Sequence, residues 1–280
     1  MINDNSVDQL IELVDSPSSA HSFVTEIEDD AIWAVSTGLK RRALFYLRRD
    51  AQAALAIAEL ILNISGWREM PRIRALGLQT KAIVLTLSLR EFEEALELFG
   101  ESEAIYRDYD EELEIAIGQV SRIWALACLQ RYDQAFAASE WTTEILTEHE
   151  AYQPLAALSN NLAAIYGRRG QDLEALERFE QVEAAYNRLG QEGHHRRPIA
   201  LINKAIVLRN LGRFSESVSA NEAAHRLAIE LEQTATVARA EQNLGITYFL
   251  LGHINRAQLL LQKARDTFIS DQRYRCLLYT

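Results

Sequence analysis

The pentapeptide Lys81-Ala82-Ile83-Val84-Leu85 recurs letter for letter at Lys204–Leu208. The first copy continues as KAIVLTLSLREF over residues 81–92, the second as KAIVLRNLGRF over 204–214. Aligning the copies sets LREF over LGRF and leaves one extra residue in the first. The two copies lie 123 residues apart, three periods of 41. Equivalent turns lie around them, at Arg49, Arg90, Gln130, Gly170, Gly212 and Gly252, with intervals of 41, 40, 40, 42 and 40. A fixed period of this length is the signature of a repeat architecture, in which each unit buries its apolar face only against its neighbours.

Within each unit an apolar-periodic stretch leads to the turn and a second amphipathic stretch follows, the pattern of two helices. Five residues past the turn stands a small residue: Ala54, Ala95, Ala135, Ala175, Ser217 or Ala257. A small side chain there lets the two helices of a hairpin pack closely. Four residues later come larger apolar side chains, among them Phe99, Phe179 and Leu261. The first helix has its own signature, Asn243-Leu244-Gly245 with Tyr248, repeated as Asn161-Leu162-Ala163 with Tyr166.

These units resemble tetratricopeptide (TPR) repeats, over roughly residues 31–270. The last three match well, the third lacks its turn glycine, and the first two carry arginine at the turn. The resemblance implies an all-α fold, a right-handed α-solenoid of about six helix hairpins. Residues 1–30 are expected to form a helical cap. Residues 271–280, with the apolar run Cys276-Leu277-Leu278-Tyr279, are expected to begin a further helix of a longer chain. A period near 41 rather than 34 resembles the TPR arrays of bacterial regulators, especially those preceding CHAT (caspase-like protease) domains.

Composition agrees with a helical globular chain. Of 280 residues 48% are apolar and 25% charged, with only four prolines and twelve glycines. The formal charge of −11 opposes non-specific binding to nucleic acid. The short basic clusters Lys40-Arg41-Arg42, Arg48-Arg49 and Arg196-Arg197 read as solvated helix faces or ends. No apolar run is long enough to span a membrane. The N-terminus lacks a secretory pattern, and two distant cysteines, Cys128 and Cys276, suit a reducing compartment, so a cytoplasmic protein is expected.

The search for chemistry yields no catalytic, cofactor or metal motif: no phosphate loop, no HExxH and no CxxC. His194-His195 lie between units without acidic or cysteine partners at ligand spacing. The acidic clusters at Asp29-Asp30, Asp108–Glu112 and Glu148–Glu150 sit at helix ends, where acids near an N-terminus meet the helix dipole. An enzyme is therefore not expected.

One constellation remains. The sixth position of the first helix holds Asn161, Asn203 and Asn243, with Lys40, Lys81 and Ser121 as earlier equivalents. The second of these is uncertain by one because of the extra residue. The TPR resemblance implies that this position faces a concave groove, where an asparagine holds the backbone of an extended peptide. An amide offers both donor and acceptor, which suits peptide C=O and N–H groups regardless of side chains. Trp124, Arg168, Arg209, Asn210 and Arg239 would add an aromatic platform and cations for acidic ligand groups. The expected partner is thus a protein or peptide. Two further readings stand beside it: end-to-end self-association, and small-molecule sensing in the groove. The asparagines could equally brace adjacent helices.

Overall fold

A computed structural model of the chain describes residues 4–47 and 49–270. Its described residues form helices, turns and bends, with no strand among them. Two short helices, α1 (Asp4–Glu12) and α2 (Pro17–Thr25), precede six helix hairpins. The hairpins are α3 (Asp29–Tyr46) with α4 (Ala51–Trp67), α5 (Pro71–Val84) with α6 (Phe92–Arg107), and α7 (Glu112–Cys128) with α8 (Tyr132–Glu148). Then follow α9 (Tyr152–Arg168) with α10 (Asp172–Leu189), a single turn α11 (Gln191–His194), α12 (Arg197–Asn210) with α13 (Phe214–Glu230), and α14 (Thr234–Leu250) with α15 (Ile254–Ser270). Every turn expected from the 41-residue period falls between the two helices of a hairpin. The fold is an all-α solenoid.

Local chemistry starts several of these helices. The Asp50 carboxylate caps α4 by accepting from the backbone N–H groups of Gln52 and Ala53 at 3.1 and 3.0 Å. Pro71 and Pro198 stand in the first turns of α5 and α12, where a missing N–H costs nothing.

The turn that closes each first helix resolves the comparison of the KAIVL copies. In four units the N–H after the turn residue donates to a carbonyl five residues back: Arg131 to Leu126, Gln171 to Tyr166, Arg213 to Leu208 and His253 to Tyr248. In the second unit Glu91 reaches six residues back, to Leu85, because Leu85–Leu89 form a π-helical turn. Such a turn absorbs one inserted residue within a helix. Leu85 is therefore the counterpart of Leu208, and Lys81 that of Lys204. The turn residues Arg90 and Gln130 adopt φ of 64° and 61°, close to the 72° of Gly170 and Gly212. The hairpin thus imposes the left-handed conformation even where no glycine relieves it.

The small residues behave as their spacing predicts. Ala54, Ala95, Ala135, Ala175, Ser217 and Ala257 are all buried. Ser217 satisfies its hydroxyl by donating to the Ala205 carbonyl at 2.7 Å. Phe99 and Phe179 fill the core four residues further on, whereas Leu261 is 37% exposed, since no hairpin lies over α15 among the described residues.

The chain divides into two compact units, Met1–His149 and Glu150–Thr280. In the first, Val7 and Leu10 of α1 and Ala20 and Val24 of α2 join one apolar cluster with Leu39, Ile57, Ile61 and Ile64 of the first hairpin. In the second, Phe179, Val182 and Tyr186 of α10 pack with Ala156 and Ala163 of α9 and Ala200 and Val207 of α12. Cys128 is half-buried. The expected further helix at 271–280, with Cys276, lies outside the described residues.

Candidate functional site

The first helices of successive hairpins carry the residues singled out by the repeat register, and the structure engages several of them in bonds between helices.

In the first unit Lys40 departs from the expectation of a solvated or groove-lining cation. It is buried, because α3 turns it onto α5 and α7. Its Nζ donates to Gln79 Oε1 at 2.6 Å and lies 3.5 Å from Glu114 Oε2. Gln79 in turn donates from Nε2 to the Glu114 carbonyl at 2.7 Å, so the cluster joins α3, α5 and α7. The fit is close: a Cβ on Gly118 of α7 would come within 2.6 Å of the Gln79 amide nitrogen. Burial pulls the Lys40 ammonium below its ordinary pKa, against the opposing pull of Glu114.

Lys81 also moves. The π turn removes it from the register of Asn203 and gives that place to Thr80, which is buried and donates to the Leu76 carbonyl at 2.7 Å. Lys81 pairs with Glu59 of the preceding second helix at 2.7 Å, as Lys204 pairs with Glu183 at 2.8 Å. The two KAIVL lysines thus make the same ion pair in their respective units. Ser121 and Trp124 of α7 are half-buried.

In the second unit the register residues lie on α9, α12 and α14. Asn203 donates from Nδ2 to Asn160 Oδ1 at 3.0 Å, joining α12 to α9. Arg209 donates from Nη1 to Asn243 Oδ1 at 3.2 Å, joining α12 to α14. Asn243 is buried, and its Nδ2 is spent on the Arg239 carbonyl at 3.0 Å. Burial lowers the Arg209 pKa. Asn161 and Arg239 are half-buried, while Arg168 and Asn210 are exposed. Asn210 contacts the Asp172 carboxylate at 3.3 Å. At this register, amides and cations link neighbouring first helices within each unit, a role open to any buried polar group that must be hydrogen-bonded.

Gln79, Glu114 and Asn160, the partners in these links, were not singled out by the repeat pattern. Asn160 had a signal, since it directly precedes Asn161. Gln79 and Glu114 had none, because only packing brings them to Lys40. His194 and His195 are exposed. Among the described residues, no three His, Cys, Asp or Glu side chains come together as a metal ion would require. No helix among them is long and apolar enough to cross a membrane.

The model of the tetratricopeptide repeat family matches residues 196–270, which hold α12 to α15. Over those residues the chain is similar to that family. A sequence comparison with curated proteins found no match. Among solved structures, the TPR fold is shared with a signal transduction ATPase with numerous domains (STAND) that has a tetratricopeptide repeat sensor, from Pyrococcus horikoshii. It aligns with a TM-score of 0.70 at 14% identity over 98% of this chain and 42% of that one. The apo quorum sensor NprR from B. thuringiensis aligns with a TM-score of 0.68 at 13% identity, over 98% of this chain and 78% of its own. NprR in complex with its cognate peptide NprX aligns with a TM-score of 0.63 at 14% identity, over 99% and 80%. At these identities the likeness is one of fold.

Proposed function

We propose that the second unit recognises an acidic, extended peptide along the face formed by α9, α12 and α14, as a sensor or scaffold with no catalysis of its own. What carries the reading is the row of cations and amides on three successive first helices: Arg168, Arg209 and Arg239 with Asn161, Asn203 and Asn243. In this reading Asn203, Asn243 and Arg209 hold the helices at a set spacing through the bonds they already make. Asn161, Arg168, Asn210 and Arg239 complete the face, its arginines suited to carboxylates and its amides to backbone groups. A shared fold with a sensor whose structure holds a cognate peptide supports the assignment without naming the ligand.

In the first unit the proposed contacts are Ser121 and Trp124; Lys40 and Lys81 serve the scaffold. The wider reading is that the array is the partner-binding arm of a larger bacterial regulatory protein in the cytoplasm, such as a CHAT-type protease. It rests on the 41-residue period alone. Self-association is the second reading, favoured by exposed Phe249, Leu250, Ile254 and Leu259 on α14 and α15. Sedimentation across a wide concentration range separates it from peptide recognition.

Selection from an arrayed peptide library tests the main proposal. Selected peptides should be rich in Asp or Glu. Arg168→Ala with Asn210→Ala should weaken them at least about tenfold, the scale of one lost charge-assisted bond, with the helical circular dichroism spectrum retained. Unchanged affinity would remove this face from the binding surface.

A further inference from the structure

The first unit holds a groove that the register residues do not touch. It has a volume of about 330 Å³ and lies between α6, α7 and α8. On α7 its wall is Glu112, Ile115 and Gln119, spaced three and four apart and so on one helix face. At 3.6 residues per turn this face points away from Ser121 and Trp124. Trp141 of α8 stands across it, 36% exposed.

The charge of this groove is one-sided. Four carboxylates, those of Glu103, Asp110, Glu111 and Glu112, line it against the single guanidinium of Arg107. Glu103 is neutralised by Arg107 and Arg122, and Glu111 by Arg72. Among the described residues no ion pair is made by Asp110 or Glu112. Gln119 adds an independent observation. It is only 6% exposed, its Nε2 donates to Glu103 Oε2 at 2.9 Å, and its Oε1 has no donor among the described residues. A buried amide oxygen without a donor is costly, and Gln119 is one of the residues that line this groove. The dipole at the α7 N-terminus accounts for acids at this position. It does not account for the open volume, the partly exposed indole or the donorless amide.

We propose that this groove binds the side chain of an arginine presented by an extended segment of a partner protein. The guanidinium stacks on the Trp141 indole, its methylene stem lies against Ile115, and its N–H groups donate to Asp110 and Glu112, with Gln119 Oε1 as a further acceptor. Arginine fits better than lysine because it has five donors in a planar fork and stacks on aromatic faces. The volume is at the low end of ligand sites, roughly 300–1,000 Å³. It has room for one long side chain and its flanking backbone. The surface is separate from the face proposed on the second unit.

The test uses the full chain with ¹⁵N-labelled tryptophan, titrated with acetyl-Ala-Arg-Ala-amide at millimolar concentrations. The indole resonance assigned by its loss in Trp141→Phe should shift saturably. The same peptide with citrulline, which is isosteric and uncharged, should bind at least tenfold more weakly. Asp110→Asn with Glu112→Gln should cost a similar factor while leaving the circular dichroism melting curve in place. Asp110 has φ of 55°, and asparagine is tolerated in that conformation, so this variant keeps the turn. Arg168→Ala should leave the titration unaltered. An unshifted Trp141 resonance, equal binding of the citrulline peptide, or undiminished binding by the double variant would each overturn the proposal.

Discussion

Replacing Lys40 by methionine tests whether the register positions brace the solenoid. The substitution keeps the length of the side chain and removes its charge and donors. Gln79 Oε1, buried, then loses the donor that lies 2.6 Å away. Leaving such an acceptor unsatisfied costs about 1–3 kcal/mol. The Glu114 carboxylate, with its side chain 23% exposed, loses a cation 3.5 Å away, worth up to about 1 kcal/mol after solvent screening. Against these stands the desolvation recovered when a buried ammonium is removed, since burial is what depresses the Lys40 pKa. The net expectation is a loss of about 2 kcal/mol. For a chain of this size that lowers Tm by roughly 4–8 °C.

Thermal unfolding followed by circular dichroism measures the loss, and a double-mutant cycle with Gln79→Leu isolates the contact. In the Gln79→Leu background, Lys40→Met should cost far less, giving a coupling of about 1–2 kcal/mol. The pH dependence adds a check on sign. Because burial lowers the folded-state pKa of Lys40, the unfolded chain holds the proton longer as pH rises. Parent stability therefore climbs between the depressed pKa and the ordinary lysine value near 10.5, and Lys40→Met lacks that slope. The deficit of the variant should grow from neutral pH towards alkaline pH. A Tm change below about 1 °C, with no coupling to Gln79, would refute the bracing role.

Two substitutions probe the repeat grammar itself. Gln130 holds a left-handed turn at φ of 61° where three other units use glycine, so Gln130→Gly should stabilise by roughly 0.5–1 kcal/mol, read as a higher Tm. Asn221 occupies the place four residues after the small residue, where Phe99 and Phe179 stand in other units. It is fully buried, and both of its amide atoms lack partners among the described residues. Asn221→Leu should raise stability by about 1–3 kcal/mol in urea unfolding, and a loss would show that the amide is satisfied in solution.

How much could be read beforehand differs between scaffold and site. The turns at 90, 130, 170, 212 and 252 and the buried small residues follow from period and residue size alone, because every unit must solve the same packing problem. The register of Lys81 was ambiguous by one residue in the letters of the chain. The π turn at Leu85–Leu89 removed the ambiguity, since it reveals on which side of the insertion the helix stays in phase. Trp141 and Gln119 carried no pattern at all. Their meeting depends on how α6, α7 and α8 splay.

By itself, the sequence determined an all-α repeat solenoid and the places of its hairpins, because these depend on periodicity and side-chain volume, which are local and repeated. The tertiary structure alone decided which polar residues are spent on the scaffold. Lys40 reads as a surface cation and Asn243 as a ligand contact until the neighbouring helices arrive. Burial then obliges each to find a partner within the fold, and that choice rests on distances between helices that no spacing in the chain encodes.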